Sequence, residues 1–181
     1  MTEVQIALVM PQLTVARLTE LFPPLVAAAD EFEINTPIRQ AAFLAQLAEE
    51  SGELRYFQEL ADGSAYEGRK DLGNVRTGDG PKFKGRGPIQ LTGRKNYLFA
   101  SLALGIDLIA HPELVATPAV GFRAAGWFWK SHGLNQLADA ILTAPMPGVA
   151  FDVVTRRING ALNGKPQRDA FFARARAALG C

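Results

Sequence analysis

The chain has 181 residues, of which 48% are hydrophobic and 20% charged; this excludes a disordered or low-complexity protein and fits one globular domain. A single cysteine, Cys181, excludes an internal disulfide framework and a cysteine-rich zinc site, and no apolar run approaches the ~18–20 residues of a membrane-spanning helix. The net charge of +1 is a cancellation: residues 1–67 carry three Arg against eleven Asp and Glu, and residues 68–181 carry sixteen Lys and Arg against seven, so the halves stand at −8 and +9. That asymmetry points to a charged partner or a polar site.

Residues 1–10 have no basic leader and only an interrupted apolar run, so no secretory signal peptide is expected. Thr14 caps a predicted helix through Leu18, Leu21 and Phe22, which Pro23-Pro24 ends or restarts before Leu25 to Phe32. Thr36-Pro37 opens a second helix, in which Ile38, Ala41, Ala42, Ala45 and Ala48 recur at helical spacing and Leu44 and Leu47 widen the stripe. Ser51-Gly52 should end it.

Residues 60–93 are dense in glycine, with a turn at Thr77-Gly78-Asp79-Gly80. Lys82-Phe83-Lys84 and Ile89-Gln90-Leu91-Thr92 alternate polar with apolar residues, as a short hairpin or an irregular lobe would. On a strand, Gln90 and Thr92 would share a face. Helices resume with Thr92 as cap, then from Thr117-Pro118 to Gly133, over Asn135–Leu142 and Phe151–Ile158, and from Pro166 to Leu179. The fold class expected is mainly α, with a small Gly-rich β-hairpin lobe near the middle.

The sharpest constellation is Glu49-Glu50-Ser51-Gly52-Glu53, followed by Glu59. Hydrolysis of a glycosidic bond needs one carboxylic acid to protonate the leaving oxygen and one carboxylate to activate water or attack the sugar. Glu50 ends an apolar helix, where the negative end of the helix dipole and partial burial would both raise its pKa, as suits a general acid. In an unbroken helix Glu59 would lie about 13.5 Å further along the axis and on the opposite face. The break at Ser51-Gly52 is what allows the chain to return and set the two carboxylates across a cleft. Taken alone, an acidic cluster of this kind is more often a solvated helix end, and Glu49 and Glu53 are read that way.

Ala48-Glu49-Glu50-Ser51-Gly52, together with Lys84-Gly85-Arg86-Gly87-Pro88-Ile89-Gln90-Leu91-Thr92-Gly93, resembles glycoside hydrolase family 19, the plant-type chitinases and the endolysins of bacteriophages and prophages. Tyr66-Glu67-Gly68-Arg69, His111-Pro112-Glu113-Leu114, Ala125-Gly126-Trp127-Phe128-Trp129 and Arg157-Ile158-Asn159-Gly160 extend the resemblance over roughly residues 14–180. The endolysin branch looks closest, because the disulfide-forming cysteines of plant chitinases are missing. The resemblance implies a two-lobed, lysozyme-like catalytic domain over 1–181, with the small lobe at about 60–93 and no separate cell-wall-binding domain.

It further implies an inverting mechanism with Glu50 as general acid and Glu59 as general base, Glu67 being the alternative base. Gln90, Thr92, Asn96 and Asn159 match substrate-binding positions, and Arg168 matches an arginine that pairs with the catalytic acids. Arg86 is read as structural, bridging to Glu67. Two departures stand out: Glu49 occupies the usual His position before the acid, and Gly160-Ala161 replaces Gly-Gly.

Trp127, Phe128 and Trp129 are read as core, and Phe171-Phe172 as a docking face of the last helix. His111 and His132 lie far apart without a carboxylate motif, so no metal and no cofactor is assigned. The expected activity is cleavage of β-1,4 bonds between N-acetylated amino sugars of peptidoglycan, by a monomer made in the cytoplasm of a bacterium or bacterial host and acting on the wall after release. The alternatives are a chitinase acting on chitin oligomers and a catalytically weakened sugar-binding homologue. Nucleic-acid binding by the basic portion lacks any motif to support it.

Overall fold

The structure, a computed structural model, describes residues 1–181. Nine α-helices and three short 3-10 turns account for all of its regular structure. The first helix, α1 (Glu3–Val9), has too few turns to show a periodicity in the sequence. It is fixed by a reciprocal cap in which Thr2 Oγ1 accepts from the Gln5 N–H and Gln5 Oε1 accepts from the Thr2 N–H, and it buries Ile6 and Val9.

Helix α2 (Val15–Glu31) starts at the Thr14 cap and runs through Pro23 and Pro24 without ending, contrary to the sequence expectation. Two backbone donors are lost there. Against that cost, Leu18, Leu21, Leu25, Ala28 and Ala29 are buried along one side, and a buried leucine alone is worth about 2 kcal/mol. Tertiary packing outweighs the local break.

Helix α3 (Pro37–Glu50) is the axis of the large lobe. Every residue from Ala41 to Ala48 is buried, so it is surrounded by protein over most of its circumference. Helix α9 (Lys165–Leu179) lies along it, with α1, α7 (Leu134–Ala140) and α8 (Pro147–Asn159) around the rest. Helix α6 (Pro118–Ser131) packs on α2 and sends Trp129 into the core, edge-on to Phe43 at 5.2 Å with its indole N–H on Asn135 Oδ1. Phe172 of α9 stacks on Phe151 of α8 at 4.0 Å, so that half of the pair expected to dock is core.

The glycine-rich small lobe is irregular rather than a hairpin. Two isolated antiparallel bridges, Gln58–Arg86 and Arg86–Leu91, are its whole β content, and Asp79–Lys82 forms a one-turn helix, α4. Backbone crowding is the reason: a Cβ on Gly80 would lie 2.6 Å from the Glu67 nitrogen and 2.8 Å from the Gly63 oxygen. Gln90 has φ +54°, which ends the alternation required of a strand.

Polar side chains hold this lobe. Nearly buried Asp79 takes two bonds from Arg94, at 2.8 and 2.5 Å, and one each from the Val75 and Arg76 N–H groups. Asn74 bridges the Tyr66 carbonyl and the Arg94 N–H. Arg86 does not reach Glu67; it donates to Gln58 Oε1, the Lys82 carbonyl and Tyr97 Oη, and burial pushes that phenol up to about 12. Gly93, not Thr92, caps helix α5 (Arg94–Leu104), because the Thr92 hydroxyl donates back to the Gln90 carbonyl.

Candidate active site

Helix α3 delivers Glu50 and then stops abruptly. Ser51 ends it, and Gly52, Glu53 and Leu54 follow with φ of +57°, +60° and +61°. Two consecutive non-glycine residues in the left-handed region cost roughly 1–3 kcal/mol each. The surroundings over-determine the turn. Glu53 N–H bonds to the Ala48 carbonyl at 2.7 Å, Leu54 N–H bonds to Ser51 Oγ at 2.8 Å, and the Leu54 side chain is fully buried. Glu53, expected at a solvated surface, is instead 5% exposed and accepts the Gln12 N–H at 2.8 Å.

The turn sends the chain back towards the small lobe, where the Glu59 N–H bonds to the Gly85 carbonyl at 3.0 Å. The two carboxylates are held by different means. Glu50 receives the Arg168 guanidinium at 2.6 Å; Arg168 is 5% exposed by its side chain and Glu50 18%. The same guanidinium bonds to Gln46 Oε1 and, at 2.9 Å, to the Asn163 carbonyl, while Gln46 donates to Thr155 Oγ1. Glu59 has no cation on its carboxylate. The Tyr66 hydroxyl donates to Glu59 Oε2 at 3.0 Å, and Glu59 Oε1 is buried with no partner.

Between the lobes lies a cleft of about 430 Å³. Its polar wall is Glu50, Tyr66, Gln90, Thr92, Asn96 and Asn159, and its apolar wall is Leu72, Ile89, Leu91, Phe128 and Ile158. The structure therefore gathers the residues singled out from the sequence. Arg168 stands behind Glu50, and Glu59 stands one contact behind the wall, touching Tyr66 and lying beside Gln90. A Cβ on Gly85 would be 2.7 Å from both Glu59 Oε2 and Gln90 Oε1, so glycine leaves the space those two groups share.

Gln90 and Thr92 reach the cleft by a left-handed turn, not by strand alternation. Asn96 donates to the Thr92 carbonyl at 2.8 Å, and Asn159 accepts the Ala161 N–H at 2.8 Å while donating to the Asn163 carbonyl. Asn159 thus shapes the end of α8 and faces the cleft at once. Glu67, the alternative base, does not line the cleft: it is exposed and accepts the Gly78 and Gly80 N–H groups at 2.8 Å.

Besides the aliphatic wall, two aromatic cleft residues carry no site assignment from the sequence. Phe128, read as core, is half-buried, stacks on His132 at 3.9 Å and borders the cleft; three consecutive aromatics cannot all face inwards from one helix. Tyr66 was seen only as part of a motif. Its signal was an aromatic with a polar tip, seven residues after Glu59 and at the edge of the glycine-rich segment. No group of three or more His, Cys, Asp or Glu side chains converges to hold a metal ion.

The family model for class I chitinases matches residues 19–174, which include every residue of this cleft. The chain belongs to glycoside hydrolase family 19. It is 43% identical over 103 residues to Chitinase 8 of Oryza sativa subsp. japonica, covering 50% of this chain and 40% of that one. It is 32% identical over 163 residues to a glycosyl hydrolase family 19 domain-containing protein of Haemophilus influenzae, covering 72% and 75%. The fold matches chitinase C from Streptomyces griseus HUT6037 with a TM-score of 0.75 and 27% identity, over 99% of this chain and 76% of that one. The chain spans under half the length of the plant chitinases it matches.

Within this family-19 site, Glu49 is neither solvent-facing nor fully desolvated. Its carboxylate packs on Gly164, where the chain enters α9. Burial pushes it above the ordinary glutamate range, with Arg168 pulling it down and Glu50 pushing it up.

Proposed function

We propose that the chain is an inverting glycoside hydrolase that cleaves β-1,4 bonds between N-acetylated amino sugars, with peptidoglycan as its substrate. The observation that carries the reaction is two carboxylates held in opposite ways at one cleft, Glu50 in its wall on a guanidinium and Glu59 just behind the wall on a phenol that lines it. Glu50 gives its proton to the leaving oxygen, and Arg168 compensates the charge that remains. Glu59 takes a proton from the water that attacks the anomeric carbon from the opposite face, so the configuration inverts. The Thr92 hydroxyl, whose hydrogen is committed to the Gln90 carbonyl, has lone pairs free to accept from that water. Asn96 and Asn159 hold the N-acetyl groups, and Phe128 with its aliphatic neighbours receives the apolar faces of the sugar rings.

Peptidoglycan is favoured over chitin by charge. Lys70, Lys95, Arg156 and Arg157 are exposed, stand within two residues of cleft residues in sequence, and pair with no carboxylate. Such a field suits a polymer carrying lactyl and peptide carboxylates and does little for a neutral one. The chitinase names of its relatives favour chitin oligomers as the second reading. On the first reading the protein acts on a bacterial wall after release from the cytoplasm, as an endolysin does.

The test is parallel digestion of purified peptidoglycan and chitin oligomers, with mass analysis of the ends formed. Peptidoglycan should yield new reducing ends at a rate that falls with added salt. Cleavage of chitin alone would favour the second reading. Tight oligosaccharide binding with no product from either would mark a sugar-binding protein.

A further inference from the structure

We propose that Tyr66 is the positioning residue for the general base: by binding Glu59 Oε2 it leaves Oε1 as the oxygen that takes the proton from water. The inference rests on the reading of Glu59 as base and goes beyond it in naming which oxygen acts and what aims it. Oε2 is occupied by the phenol at 3.0 Å, whereas Oε1 is buried without a partner, an arrangement that costs free energy unless a ligand or water completes it. Lys84 does not compete for it: its Nζ bonds to the Glu59 and Ala61 carbonyls and not to the carboxylate.

A neutral donor is the right kind of anchor here. An arginine would compensate a carboxylate's charge and weaken its pull on a proton, whereas a phenol orients it with less compensation. Burial and the neighbouring Glu59 carboxylate both push the Tyr66 phenol above its ordinary value, so it remains a donor throughout the pH range in which a carboxylate base works. The backbone of Tyr66 is tied separately, through its carbonyl to Asn74, so loss of the hydroxyl alone leaves the loop anchored.

The experiment compares wild type, Tyr66→Phe, Glu59→Gln and the double variant on the polymer that wild type cleaves, with side-chain carboxyl NMR of glutamate-labelled protein alongside. Tyr66→Phe should lower kcat about 10- to 100-fold, as expected for a hydrogen bond to a charged group, with KM changed less than about twofold. The acidic limb of its pH profile should move to higher pH, because the carboxylate has lost a donor. The double variant should be no slower than Glu59→Gln. In the NMR titration, Tyr66→Phe should move the Glu59 carboxyl and leave that of Glu50 in place.

Unchanged kcat in Tyr66→Phe, losses that multiply in the double variant, or an unmoved Glu59 titration would each overturn the proposal. Full activity in Glu59→Gln would overturn it together with the assignment of the base. An inactive wild type would instead overturn the proposed function, and the NMR comparison would still decide whether the phenol governs Glu59.

Discussion

Arg168 in α9 and Glu50 at the end of α3 are 118 positions apart in sequence and meet at 2.6 Å. The pair closes the large lobe and sets the acid at once, since the same guanidinium also holds Gln46 and the Asn163 carbonyl behind it. Breaking a largely buried pair by removing one partner leaves the other uncompensated, at a cost of about 3 kcal/mol or more. Arg168→Met should therefore lower stability by about that amount in urea unfolding and reduce activity on the polymer at least tenfold. Arg168→Lys should recover part of the stability and little of the activity, because an ammonium cannot make the fork to Glu50 and Gln46.

Gly85 tests the shared space between Glu59 and Gln90. A methyl group there would meet two side-chain oxygens at 2.7 Å, and both belong to side chains that can swing aside. Gly85→Ala should keep the fold, with Tm lowered by only a few degrees, while kcat falls by about tenfold or more from misplacement of the base. Thermal melts and initial rates on the same preparation check both halves.

Asp79 makes the small lobe acid-sensitive. Its carboxyl is held below the ordinary aspartate value of 3.8, first by the hydrogen bonds from Arg94 and also by the Arg76 and Val75 N–H groups, with burial opposing. Its stabilising contribution is complete above the unfolded-state value and is lost as pH falls through the depressed folded-state value. Asp79→Asn should cost about 3 kcal/mol at pH 7. Its deficit relative to wild type should shrink below pH 3.8, as measured by urea unfolding at a series of pH values.

Glu49 should show the opposite sign. A carboxyl raised by burial keeps its proton more readily in the folded protein than in the unfolded chain, so stability is lost as pH rises through the raised value. Glu49→Gln should raise Tm at pH 7, and the gain should vanish as pH falls below the ordinary value of 4.5. Equal melting curves for the two proteins at every pH would contradict this.

Much of the architecture was legible because it obeys local rules. Thr14, Thr36-Pro37 and Thr117-Pro118 each open a helix where the residues require it, and the apolar stripe of α3 announces a helix buried on nearly every side. The proline pair of α2 was misread because its cost is local while the burial of Leu21 and Leu25 is tertiary. In the small lobe, alternation at Ile89–Thr92 imitated a strand, but the crowding of Gly63, Gly80 and Glu67 and the left-handed Gln90 follow from contacts that no short window contains. Glu50, Gln90, Thr92, Asn96 and Asn159 were found through motif positions. The bond from Tyr66 to Glu59 depends on a turn built from Gly52, Glu53 and Leu54, two of which are residues that seldom adopt that backbone.

The most direct test compares wild type with Glu50→Gln on purified peptidoglycan, following new reducing ends and identifying them by mass, after both proteins are shown to be folded by circular dichroism. Wild type should release fragments cut at β-1,4 bonds between amino sugars, and Glu50→Gln should be slower by about 10²–10⁴-fold or more. A folded Glu50→Gln protein that cleaves the same bonds at the wild-type rate would contradict Glu50 as the acid and the two-carboxylate mechanism with it.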